Sequence, residues 1–266
     1  MSEPPRPTAL ITGATAGLGA SFARQIAARG SNVVLVARDG QRLAALAAEL
    51  AQRDGIEATP LVADLATDEG CAAVERRLRA DEAPVELLVN NAGFSLNTPF
   101  LRSAPGDEAR LLQVNVAAVM RLTLAALPGM VARRRGSVIN VSSVSGFFSV
   151  IPGSTYPATK AWVTNFSQSV GYSVRRYGVR VMALCPGYTR TEFHARAGID
   201  MSKTPAWMWL DADRVVQDAL RDLGKGKAVS VPDWKYKLAV ALGRHAPLAV
   251  LQRVARDTRG REGARG

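Results

Sequence analysis

The chain has 266 residues, 47% apolar and 21% charged, with a formal net charge of +11. Such a length suits one large α/β domain or two small ones, and the composition is globular, which excludes a disordered or low-complexity protein. The opening MSEPPRPTA holds no apolar core of signal-peptide length, and no later run reaches the ~18 uninterrupted apolar residues of a bilayer span.

Two cysteines, Cys71 and Cys185, form neither a metal-ligand cluster nor a disulfide framework, so a cytoplasmic protein without a metal is expected. The charge excess lies late, with ten Lys or Arg against three acids from Lys225 onward. A solvated basic tail is the expected reading. Zinc-finger spacing and aromatic RNA-binding signatures are absent, so nucleic acid is not expected as a partner.

From the first residues, short apolar runs alternate with longer alanine-rich stretches. Strands are expected at 8–12, 32–36, 58–63, 85–90, 137–141 and 180–184, with a last one at 228–231. The intervening stretches 17–29, 40–53, 68–82, 107–134 and 155–176 have crossover-helix length. The rhythm predicts a doubly wound, Rossmann-type α/β fold with a mostly or wholly parallel sheet of about seven strands and helices on both faces. One catalytic domain is expected over 1–233, followed by a basic extension over 234–266.

Strand one runs into Gly13-Ala14-Thr15-Ala16-Gly17-Leu18-Gly19, where a helix begins. Glycines suit a tight turn whose amides approach a pyrophosphate, and the helix N-terminus adds unpaired N–H groups. The spacing differs from the commoner dinucleotide fingerprint. The second strand ends at Ala37-Arg38-Asp39, where an acid would hold the ribose of NAD. Ala37 cannot accept those bonds, whereas Arg38 can bind a 2′-phosphate, so NADP(H) is expected over NAD(H). Asp39 offers a carboxylate to the ribose if the register shifts. Asp64 suits a bond from the adenine amino group with Leu65 packed nearby, and equally suits a helix cap. Asn91-Ala92-Gly93 would let the backbone run close to a ribose or nicotinamide, although Asn90-Asn91 also suits a plain turn.

Tyr156 and Lys160 share one helix face at i and i+4. A phenol beside an ammonium and a cationic nicotinamide is brought towards a working pKa, while a serine thirteen residues earlier can hold the substrate oxygen. Pro157 is tolerated only if the helix begins about there. Between strand six and the next helix, residues 188–210 carry Tyr188, Phe193, Trp207, Met208, Trp209 and Leu210, and their place after a strand end points to a substrate lid. The stretch Trp234 to Val254 reads as an amphipathic helix broken near Pro247. Such a helix could cover the substrate pocket, join a subunit interface or lie on a membrane surface, and packing on the body or a partner subunit ranks first.

The pieces ThrGlyAlaThrAlaGlyLeuGly, AsnAsnAlaGly, ValAsnVal around Asn115, ValSerSerValSerGly, TyrProAlaThrLys and ProGlyTyrThrArgThr occur in order. Together they resemble the short-chain dehydrogenase/reductase family over residues 7–232. The resemblance implies a Ser143–Tyr156–Lys160 triad with Asn115 as fourth member, anchoring a water that passes protons towards Lys160. Tyr156 would be the general acid in reduction, Lys160 would bind the nicotinamide ribose, and the family spacing selects Ser143 over its rival Ser142. Pro186, Gly187, Thr189 and Thr191 would hold the nicotinamide carboxamide. An NADP(H)-dependent oxidoreductase interconverting a carbonyl and an alcohol is therefore expected. An apolar pocket is expected from Phe94, Phe147, Phe148 and Val150, and a homodimer or homotetramer from helices 107–134 and 155–176. The alternative is a nucleotide-binding sensor that keeps the fold without turnover.

Overall fold

The computed structural model describes residues 6–148, 154–202 and 204–245. Strands β1 (Thr8–Thr12), β2 (Asn32–Ala37) and β3 (Ala58–Val62) alternate with helices α1 (Gly17–Ala27) and α2 (Gly40–Asp54). Helix α3 (Asp68–Arg79) leads to β4 (Val85–Asn90), and α4 (Pro105–Leu112) and α5 (Ala118–Ala132) lead to β5 (Gly136–Val141). Then come α6 (Tyr156–Val174), β6 (Val179–Leu184), α7 (Phe193–Arg196), α8 (Ala212–Gly224), β7 (Val229–Ser230) and α9 (Trp234–His245). The seven strands form one parallel sheet in the order β3-β2-β1-β4-β5-β6-β7.

Successive residues of one strand face opposite cores, which is why the strands read as unbroken apolar runs. Ile11 faces Phe22, Leu43 and Val216 under α1, α2 and α8. Leu10 faces Val74, Leu122 and Met130 under α3 and α5. Local chemistry fixes the helix ends. The Asp39 carboxylate accepts the Arg42 N–H at 3.0 Å to start α2, and Gly55 ends it with φ +62°.

The stretch expected as one helix over 107–134 is broken. A π turn over Gln113–Ala117 separates α4 from α5 and carries Asn115 fully buried. By composition the helical stretch Pro105–Ala132 is long and apolar enough to cross a membrane, with a mean hydropathy of 1.6 over eighteen residues, which qualifies the sequence expectation. It packs in the body instead: Leu111, Leu122, Ala125, Ala126 and Met130 are core residues.

The strand order reverses between β1 and β4, so the crevice beyond their carboxyl ends is where such sheets hold ligands. Residues 188–210 return over that end, pinned by a parallel bridge from Thr189 to Leu210. Helix α9 then packs back on the body through Tyr236 and Val240. Val150, and the 246–266 part of the basic extension with Pro247, lie outside the described residues.

Candidate active site

A cleft of about 1740 Å³ runs across the carboxyl ends of the strands. Its first wall is the turn after β1. Gly13 and Gly17 have φ of +66° and +51°, backbone that β-carbons disfavour. Ala16, at the N-cap of α1, makes no side-chain cap, and the first turn carries no acid. The leading N–H groups of α1 are therefore left to an anion, so the turn fits a pyrophosphate. Thr15, Ala16, Gly17 and Leu18 line the cleft, but Gly19 does not. A Cβ there would collide with the Gly13 carbonyl, so Gly19 serves close packing of α1 on the turn.

Arg38 lines the adenosine end, exposed and with no hydrogen-bond partner among the described residues. Asp39 lines it too, with its carboxylate engaged in capping α2. Asp64 and Leu65 form the opposite corner. Asp64 accepts the Ala66 N–H at 3.0 Å and pairs with Arg110 at 3.2 Å, while Thr67 caps α3, so Asp64 is not that cap.

Asn91, Ala92 and Gly93 line the middle. The Asn91 amide donates to the Thr12 carbonyl at 2.9 Å and the Gly13 carbonyl at 3.2 Å, so its side chain shapes the glycine turn. Asn115 does not reach the cleft wall. Its amide exchanges two bonds with the Phe94 backbone, at 3.1 and 2.9 Å, and donates to Thr159 at 3.3 Å. The π turn thus ties the loop after β4 to α6.

Tyr156 and Lys160 stand in the first turns of α6, with Pro157 beside Tyr156 where a missing N–H costs no helix bond. The Lys160 ammonium reaches back to the Val141 carbonyl at 2.9 Å and lies 5.6 Å from the centre of the Tyr156 ring. Burial pushes the Lys160 ammonium down to about 8. Burial also pushes the Tyr156 phenol up to about 12, against a hydrogen bond with Ser143 that pulls it down. Among the protein's own groups, then, desolvation outweighs the Ser143 hydrogen bond, and the expected lowering by the lysine is not among the causes of the shift. Ser142 and Ser143 both line the cleft, but Ser142 is buried and its hydroxyl donates to the Lys160 carbonyl at 2.6 Å and meets Thr164 at 2.7 Å. That engagement separates the two serines.

Pro186, Gly187, Thr189 and Thr191 line the far wall, and Phe94 and Phe148 the apolar part. The Thr191 side chain packs on Gly17, and Glu192 pairs with Arg42 at 3.0 Å, so residues 191–192 bridge the groove. Above Tyr156, Phe193 lies 5.8 Å away between ring centres, and Tyr188, His194 and Trp209 continue the aromatic cluster.

Some site residues are not singled out by any motif in the sequence. Tyr236 lines the cleft from α9; its hydroxyl donates to the Met208 carbonyl at 2.7 Å and accepts the Tyr188 N–H at 3.1 Å. Buried Glu108 accepts the Thr155 N–H at 3.1 Å and its hydroxyl at 2.6 Å, holding the start of α6. A buried chain of amides runs from Thr123 through Asn90 and Asn140 to Ser167 beneath the site. None of these pairings has a local spacing that would announce it.

The short chain dehydrogenase family model matches residues 7–201. A very-long-chain 3-oxoacyl-CoA reductase of Coprinopsis cinerea is 40% identical over 177 residues, 65% of this chain. The match spans about half that protein's length, 52%. Among solved structures, a short-chain dehydrogenase from Sphingobium yanoikuyae in complex with NADPH superposes with a TM-score of 0.82 at 36% identity, over 97% of this chain and 95% of that one. The bulky-bulky ketone specific alcohol dehydrogenase from Comamonas testosteroni gives 0.78 at 31% identity, over 98% and 96%.

Proposed function

The chain belongs to the short-chain dehydrogenase family and is an oxidoreductase of that family, and from this premise we propose that it uses NADP(H) to interconvert a hydrophobic ketone or aldehyde and its alcohol. The observation that carries the reading is the meeting of Tyr156, Ser143 and Lys160 in one cleft with an uncapped helix N-terminus.

When bound, the nicotinamide would supply or accept the hydride. Gly13, Thr15, Ala16, Gly17 and Leu18 would hold its pyrophosphate, Arg38 a 2′-phosphate, Asp64 and Leu65 the adenine, and Asn91, Ala92 and Gly93 the ribose side. Pro186, Gly187, Thr189 and Thr191 would hold the carboxamide. The Ser143 hydroxyl would orient the substrate oxygen, and the neutral Tyr156 phenol would donate its proton to that oxygen as negative charge develops on it. Lys160, steadied by Val141, would resupply positive charge beneath the phenol. Asn115 would act by placing Phe94 and Thr159.

A bulky apolar substrate is favoured by the rings of Tyr188, Phe193, His194 and Trp209 over the site, and by the ketone class named for the Comamonas testosteroni enzyme. Exposed Met120, Leu124 and Tyr172 on α5 and α6 support a homodimeric or homotetrameric assembly through that face. The test is NADPH and NADH consumption over a panel of hydrophobic ketones and aldehydes, with Tyr156→Phe beside the wild type. Turnover with NADPH should vanish in the variant while cofactor binding stays within about threefold, roughly 0.7 kcal/mol, because the rest of the cofactor's contacts are untouched. Retained turnover in the variant would overturn the assignment, as would failure to bind either cofactor.

A further inference from the structure

Helix α9 has two faces of different fate. Its inner face, Tyr236 and Val240, is buried on the body, and the Tyr236 hydroxyl is fixed from both sides by Met208 and Tyr188. Its outer face shows Trp234, Leu238 and Leu242, which are 68%, 52% and 63% exposed. These residues are spaced four apart and so form one stripe along the helix. Trp207, 63% exposed, joins the patch through Lys235, whose ammonium donates to the Trp207 carbonyl at 3.2 Å and lies 6.0 Å from its ring centre. Solvent ordinarily meets charged and polar residues on such a face; here it meets two indoles and two leucines.

The charge around the stripe is of one sign. Residues 234–245 include Lys235, Lys237 and Arg244 and no acid, and the whole segment 234–266 has eight basic residues against two acidic ones. A helix with leucines and a tryptophan outward, flanked by lysines, suits the boundary between headgroups and acyl chains. Anionic headgroups would add attraction for each basic residue near the surface. A second copy of this chain fits the stripe less well, because a two-fold pairing would bring Lys235 and Lys237 of one copy towards a helix that is equally basic and has no acid to pair with them.

We propose that the outer face of α9 docks the protein on an anionic lipid surface, with Trp234, Leu238 and Leu242 entering the interface. The docking face is the back of the helix whose Tyr236 lines the cleft, so the cleft sits at the lipid boundary. The proposal rests on α9 and its charge, not on turnover.

The experiment is flotation of the full chain with phosphatidylcholine vesicles, with and without phosphatidylserine. Binding is expected only with phosphatidylserine and should weaken as salt rises. The double variant Leu238→Gln/Leu242→Gln should lose about tenfold or more in vesicle affinity, as should Trp234→Ser, given the apolar area withdrawn from the interface. All should keep the circular dichroism of the wild type. Absence of wild-type flotation at low salt would overturn the proposal. Undiminished flotation of both variants would overturn it too, leaving a purely electrostatic tail. A fall in oligomer mass on light scattering, without lipid binding by the wild type, would assign the stripe to a second copy and equally overturn it.

Discussion

The side chain of Tyr236 occupies the space that a Cβ on Gly187 would need. The contact joins the turn after β6 to α9 and makes the far wall of the cleft a composite of two distant segments. Gly187→Ala should therefore displace α9 and cut turnover at least about tenfold, the effect of a misplacement of about 1 Å near reacting groups. Adding Tyr236→Ala should restore part of the loss. Steady-state kinetics on the single and double variants check this, and an unaffected Gly187→Ala enzyme would refute it.

Lys160 supplies a pH prediction. Burial lowers its pKa to about 8, so the free protein holds it charged below that value and neutral above it. Ribose hydroxyls that accept its protons would favour the charged form, raising the pKa in the complex. Cofactor binding then takes up a proton above pH about 8 and is weakened up to about tenfold per unit there, with no slope below. Calorimetry in buffers of different ionisation enthalpy should show the uptake, and Lys160→Met should abolish it. A flat profile would exclude the coupling.

The identity of the cofactor turns on Arg38. Charge-assisted bonds to a phosphate are worth about 1.5–3 kcal/mol, so Arg38→Ala should weaken NADPH binding by about 10–100-fold and leave NADH unchanged. Equal weakening of both cofactors, measured by fluorescence titration, would remove Arg38 from phosphate recognition. The nearby Arg42–Glu192 pair is about half exposed on both sides and screened by solvent, so Arg42→Ala should leave the urea unfolding midpoint almost unchanged.

Beneath the site, Asn90 donates to Thr123 at 3.1 Å and to Asn140 at 2.8 Å. Asn90→Ala removes two bonds in a dry place and strands their partners, which should cost about 1–3 kcal/mol in a urea unfolding curve. A loss below a few tenths would show that the network carries no stability.

What could be read in the sequence was local. The strands announce themselves because both faces are buried, the turn at Gly13–Gly19 because its glycines sit close together, and Tyr156 with Lys160 because one helical turn separates them. The π turn has no compositional mark, since Gln113–Ala117 reads like the helix on either side of it. Glu108 with Thr155, and Tyr236 with Gly187, lie about 47 and 49 residues apart and meet only through the folded layers. The spacing of Tyr156 and Lys160 shows only that a charge is near the phenol, and burial depth, which decides the sign within the protein, is not a property of spacing.

The π turn makes the chain sensitive to its own length at this point. It is one surplus residue in an otherwise regular helix, so deleting Val114 would leave a smoother, better-formed rod. That rod would turn Asn115 by about 100° away from Phe94. Such a deletion would hardly register in helix content, yet it would unmoor the loop that borders the cleft. A one-residue gap of the kind a surface loop would absorb is thus damaging here, in a stretch whose amino acids look interchangeable.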